Sequence, residues 1–72
     1  MSQPFKYESY QIVEGNKVLK YFVNCKDRVS AENIMCDEMF YNGNTEEQIE
    51  GAVSRGSFND NTVMFIIKTI EE

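Results

Sequence analysis

The chain has 72 residues and 8.4 kDa, of which 42% are hydrophobic, 26% charged and 12% aromatic. That is enough apolar material for one small domain over residues 1–72, and too little Pro and Gly for a low-complexity tail. Seven basic against twelve acidic residues give a net charge of −5, which argues against a direct nucleic-acid partner, because phosphates are held by clustered cations.

The longest unbroken apolar run, Val63 to Ile67, is five residues, so no membrane span is expected. With no signal sequence in view and only Cys25 and Cys36 as cysteines, a cytoplasmic protein with reduced thiols is expected.

Met1-Ser2-Gln3-Pro4 reads as a polar lead-in, with Pro4 marking the start of a strand. From Phe5 the pattern predicts a β-hairpin whose turn is Glu14-Gly15-Asn16-Lys17, Gly15 and Asn16 being the central pair. This placement sets Val13 against Val18, Ile12 against Leu19, Tyr10 against Tyr21 and Glu8 against Val23. It also opposes Glu14 and Lys17 as a weak ion pair at the tip. The two-residue period then gathers Tyr10, Ile12, Leu19, Tyr21 and Val23 on a core face. Tyr7, Ser9, Gln11, Val13, Val18, Lys20, Phe22 and Asn24 fall on the other. That second face is either ordinary apolar scatter or a surface for a partner or a homodimer.

After the charged connector Lys26-Asp27-Arg28, Ser30 has the chemistry of an N-cap for a helix running to about Asn42 and stopped by Gly43. Ala31, Met35 and Met39 share one side of it, and Met35 and Met39 are expected to pack on Tyr10, Ile12, Leu19 and Tyr21. Phe40 points away, and Ile34 and Tyr41 project in a third direction. Thr45-Glu46-Glu47-Gln48 is a capping box opening a second, short helix with Ile49, Ala52 and Val53 inward, closed by Gly56. Ser57 to Asn61 is turn material, and Thr62 to Ile70 is a strand apolar on both sides, suited to a sheet interior or a covered edge. The fold class expected is α+β, in the order ββααβ, with an antiparallel sheet of about three strands and the helices packed on one face.

The parts for catalysis are sparse. The chain has no His, the most common general base at neutral pH. Cys36 is followed by Asp37 and Glu38, which disfavour a thiolate. The pairs Asp37-Glu38 and Glu46-Glu47 are adjacent in sequence and do not face one another on a helix; Glu46 and Glu50 do share a face. Asn59-Asp60-Asn61 lacks the Gly and distal Glu of a calcium loop, and Ser54-Arg55-Gly56-Ser57 is at most a small anion nest. No catalytic, cofactor-binding or metal-binding residue is assigned, and an enzyme is not expected.

Binding is the stronger expectation. Between Glu32 and Glu50 lie six acids in nineteen residues and no positive charge, interleaved with Met35, Met39, Phe40 and Tyr41. Met and aromatic residues are enriched at protein interfaces, and acids steer towards basic partners. Glu32, Asp37, Glu38, Phe40, Tyr41, Glu46 and Glu47 are therefore the candidate partner-binding residues. In size, charge and coarse element order the chain is similar to phage-encoded inhibitors that occupy basic nucleic-acid-binding grooves of host enzymes. That likeness implies a small acidic protein that binds and modulates a basic host nucleic-acid-binding or defence factor. Two other functions fit the composition: a homo-oligomeric structural or accessory protein, and a small-ligand or nucleotide binder working through Arg55.

Overall fold

The computed structural model describes residues 4–70; the lead-in Met1-Ser2-Gln3 and the acidic tail Glu71-Glu72 lie outside the described residues. In chain order the elements are β1 (Phe5–Val13), β2 (Asn16–Cys25), α1 (Arg28–Tyr41), α2 (Glu46–Arg55), β3 (Ser57–Asn59) and β4 (Val63–Thr69). The strands form one antiparallel four-stranded sheet in the order β2-β1-β4-β3. The class is α+β, with four strands rather than about three. The extra strand is β3, in the stretch expected to be turn. Gly56 in the left-handed region (φ 85°) swings the chain out of α2, and Phe58 then pairs with Phe65, their rings stacked at 6.3 Å. β4, apolar on both sides, takes an interior position between β1 and β3, as its composition demands.

The hairpin turn lies one residue earlier than expected. Glu14 (φ 52°) and Gly15 (φ 82°) are the two central residues, and Val13 pairs with Asn16. Two successive positive φ values define a type I′ turn, the twist-matched hairpin loop, with Gly in its usual second place. Glu14 and Lys17 are thus not opposed; Lys17 pairs with Ile12.

A second correction follows from a bulge. Tyr10 pairs with Leu19 but Ser9 pairs with Tyr21, leaving Lys20 as the extra residue. One extra residue inverts the facing of everything beyond it. The expected core face is therefore split. Tyr21 and Val23 join Tyr7 and Ser9 under the helices, whereas Tyr10, Ile12 and Leu19 share the opposite face with Phe22.

The core comprises Tyr7, Cys25, Ala31, Met35, Met39, Ala52 and Phe65, all buried. Met35 and Met39 are buried as their spacing predicted, but they pack with Tyr7 and Phe65 rather than with Tyr10, Ile12 and Leu19. Both thiols are free, Cys25 in the core and Cys36 exposed on α1. The N-cap of α1 is Asp27, not Ser30: its carboxylate accepts from the Ser30 amide at 2.8 Å. A charged acceptor at the positive helix end outcompetes a hydroxyl. The other end is as read, since Gly43 (φ 90°) lets the amides of Gly43 and Asn44 bond to the carbonyls of Phe40 and Met39, a Schellman closure. The Thr45–Gln48 capping box of α2 is complete. Arg28 joins the helices: its guanidinium bonds Glu32 at 2.9 Å and donates to the Val53 carbonyl at 3.1 Å, near the C-terminal end of α2.

Tyr7 and Tyr21 give the core a pH signature. Burial first, then the neighbouring Glu38 carboxylate and Tyr21, push the Tyr7 phenol far above its ordinary value. Burial and Glu38 push Tyr21 up to about 12. In the unfolded chain both ionise near their ordinary value of about 10. The unfolded state therefore binds fewer protons than the native state above that pH, and stability falls as pH rises. Urea titrations at increasing alkalinity are expected to show a loss approaching about 1.4 kcal/mol per pH unit from Tyr7. Tyr21 is more exposed and contributes less. Tyr7→Phe should flatten most of this slope; an unchanged slope would place the alkaline sensitivity elsewhere.

Candidate functional site

The two helices form an acidic layer over the sheet. From Val29 to Ser54 there are six carboxylates and no Lys or Arg. On α1, Cys36 and Phe40 are one turn apart with Asp37 beside them. On α2, Glu46, Ile49 and Glu50 follow the same i, i+3, i+4 rule. Together these six residues line a groove of about 390 Å³ between the helices.

Three of the expected partner-binding residues, Asp37, Phe40 and Glu46, thus converge in one groove. Glu38 and Tyr41 line a second hollow, of about 200 Å³, with Lys20, Asn42, Val63 and Phe65. Glu32 is drawn away into its ion pair with Arg28. Glu47 is exposed in the first turn of α2 and lines neither hollow.

Cys36, Ile49 and Glu50 were missed as groove residues. The Glu46–Glu50 face is legible in the sequence, and so is the one-turn step from Cys36 to Phe40. What the sequence does not reveal is that these two faces lie side by side. Ile49 was expected inward; it packs on the core while one edge lines the groove.

The aromatic anchors are the most exposed large hydrophobic side chains of the layer: Phe40 is 74% exposed and Tyr41 88%. Their rings meet edge to face at 6.4 Å, a favourable arrangement that preserves both outer surfaces for contact.

Two other short motifs are spent on the fold itself. Asp60 Oδ1 accepts from the amides of Thr62 and Val63 and from the Thr62 hydroxyl, at 2.7, 2.9 and 2.9 Å, which closes the β3–β4 turn. In Ser54-Arg55-Gly56-Ser57 the Gly56 amide donates to the Ala52 carbonyl at 2.7 Å, so it is not presented to an anion. Arg55 turns back towards the Ser57 carbonyl, at 3.4 Å. Among the described residues no three Cys, Asp or Glu side chains converge as a metal-binding set, and no helix is long and apolar enough to cross a membrane.

Compared with protein-family models, curated proteins and solved structures, the chain matches none.

Proposed function

We propose that the protein is a non-catalytic interaction module that lays its acidic helix layer on a basic surface of another protein and modulates that protein, most simply by occluding a site built for an anionic polymer. The observation that carries this reading is the pair Phe40 and Tyr41, standing exposed beside the Asp37, Glu46 and Glu50 groove. A soluble helix face ordinarily presents carboxylates without large aromatic groups among them. Exposed aromatics ringed by charge are the composition of a binding hot spot. The carboxylates set the sign of the partner: they attract a Lys- and Arg-rich surface and repel an acidic one.

The test is affinity capture with the wild-type chain beside two variants. Phe40→Ala is expected to weaken the complex by about 2 kcal/mol, roughly 30-fold, without moving the melting temperature. Charge reversal of Asp37, Glu46 and Glu50 to Lys should slow association far more than it speeds dissociation, and added salt should do the same to the wild type. A partner retained equally by both variants would remove the helix layer from the binding surface.

A further inference from the structure

The face of the sheet turned away from the helices has the opposite charge to the helix layer. Along the sequence the seven cations are scattered, but the register brings three of them to this face. Lys6 pairs with Lys68 at one end, and Lys17 pairs with Ile12 at the other. Between them run two rows. One is Leu19, Tyr10 and Met64, ended on β3 by Asn59; the next is Phe22, Glu8 and Ile66, ended by Ser57. Each row holds one aromatic ring, and Phe22 is 50% exposed. Phe22 and Tyr10 are diagonal neighbours on adjacent strands, about 7–8 Å apart.

The one acid of these rows does not cancel the positive charge. Glu8 is only 6% exposed. Its carboxylate accepts from Lys68 Nζ at 2.9 Å and from the Tyr10 hydroxyl at 2.8 Å, with Lys6 Nζ at 3.6 Å. Three ammonium groups less one buried carboxylate leave a local charge of +2 on a molecule of −5. The bond to Glu8 also holds the Tyr10 ring in place. Each ring has a cation at hand, Lys6 5.1 Å over Phe22 and Lys17 5.9 Å over Tyr10. Such a contact at an exposed site is weak enough for a stacking group to displace, and the ammonium group is then free for an anion beside the ring. The carboxylates of the helix layer lie across a slab whose shortest dimension is 17 Å. That is about two Debye lengths at physiological ionic strength, so their repulsion is screened at this face.

We propose that this face binds single-stranded nucleic acid, with bases stacked on Phe22 and Tyr10 and phosphates drawn to Lys6, Lys17 and Lys68. Phosphate binding needs clustered cations rather than a positive net charge, and the fold supplies the cluster that the sequence order hides. The rings select a single strand. Unpaired bases offer flat faces that stack on aromatic side chains whatever the sequence, whereas the bases of a duplex are already stacked on one another. The cations stand at both ends of the aromatic rows, where a backbone crossing the face enters and leaves. Asn59 and Ser57 end the same rows with donors and acceptors for base edges, and add no charge. An acidic polypeptide would meet the lysines but leave the two rings without stacking partners. This site does not rest on the acidic helix layer, and the two faces can be occupied together.

Fluorescence anisotropy of short labelled oligothymidylate and oligouridylate, titrated with the full chain at low salt, tests it. Both probes are expected to bind. The logarithm of the binding constant should fall against the logarithm of salt concentration with a slope of about −2, from roughly −0.7 for each of three phosphate contacts. Lys17→Gln/Lys68→Gln keeps Lys6 beside Glu8 and should bring the slope to roughly −0.7. Phe22→Leu keeps an apolar side chain but loses the ring; it should weaken binding about five- to 150-fold and leave the slope unchanged. Where either variant does not fold, Lys17→Gln alone, at an exposed position, should bring the slope to about −1.4. Phe40→Ala, on the helix layer, should bind both probes as the wild type does, which separates this site from the protein partner proposed above. Five results overturn the proposal. They are no binding of either probe, a duplex of equal length bound as tightly as the single strand, and a folded Phe22→Leu chain of unchanged affinity. The others are polyglutamate displacing the probes at equal charge (an acidic polypeptide on this face), and a mass that rises with concentration and returns to 8.4 kDa in high salt (the acidic helix layer of a second copy on it).

Discussion

Met39→Ala is expected to be the most destabilising single truncation in α1. The side chain is fully buried between the helices and the sheet, in one cluster with Tyr7, Met35 and Phe65. Removing it deletes the transfer energy of the lost atoms and leaves a cavity that a close-packed core closes only in part. The cost is about 2–5 kcal/mol. For a domain of this size the whole stability lies near the low end of about 5–15 kcal/mol, and each kcal/mol moves the melting temperature by roughly 4–8 °C. A fall of at least about 10 °C is therefore expected on thermal melting, with much of the chain unfolded at ambient temperature in the upper part of the range. Met39→Leu, which keeps the volume, should cost less than about 1.5 kcal/mol. The neighbouring Phe40→Ala should leave the melt unchanged, because its ring is in solvent. Equal melts for Met39→Ala and Phe40→Ala would mean that α1 is rotated from the orientation described.

Gly56→Ala should have the second largest effect. Gly56 is buried at the point where α2 hands the chain to β3, with φ at 85°. Its amide donates to Ala52, and its carbonyl accepts from the Ile67 amide at 2.8 Å, so the residue cannot move without breaking either the helix end or the sheet. A non-glycine residue in this left-handed conformation costs about 1–2 kcal/mol. The added Cβ would also stand 3.1 Å from an Arg28 guanidinium nitrogen, the same group that donates to the Val53 carbonyl. Arg28 must then give way, and the helix–helix clamp loses a charge-assisted bond; together the two effects amount to about 2–4 kcal/mol. Denaturant unfolding of Gly56→Ala and Arg28→Ala, alone and combined, separates them. Additive losses would show that Arg28 is not displaced by the new methyl group.

Glycine at Gly43 and Gly56, the capping box at Thr45, and the helical spacing of Ala31, Met35 and Met39 are local signals. Each acts within one turn of chain, and each appears in the structure where the sequence puts it. β4 likewise lies inside the sheet between β1 and β3, as its unbroken apolar run suggested, with Phe65 and Ile67 on the helix side and Met64 and Ile66 on the opposite one. The N-cap of α1 was misplaced by three residues because Asp27 and Ser30 are both good caps, and only the hydrogen bond at 2.8 Å distinguishes them. β3 was missed because three residues pair as a strand only when a neighbour is present, here Phe65 opposite Phe58.

The candidate site was legible by kind more than by arrangement. The absence of cations from Val29 to Ser54 and the outward direction of Phe40 are readable along the chain. The juxtaposition of Asp37 and Phe40 with Glu46 and Glu50 depends on how α1 and α2 lie together, and the withdrawal of Glu32 depends on Arg28. The largest difference came from one residue. A two-residue period assigns both faces of a hairpin from a single turn, and the bulge at Lys20 breaks that period halfway along β2. By itself the sequence determined the C-terminal stop of α1, both ends of α2, the buried stripe of α1, the interior strand and the acidic character of the helix layer, because these rest on contacts within a few residues. Which side of each strand met the helices, and therefore that Phe22, Leu19 and Tyr10 share an uncovered face with Lys6, Lys17 and Lys68, was decided only in the tertiary structure. Register is a competition between whole strands, settled by the sum of their pairings rather than by any one of them.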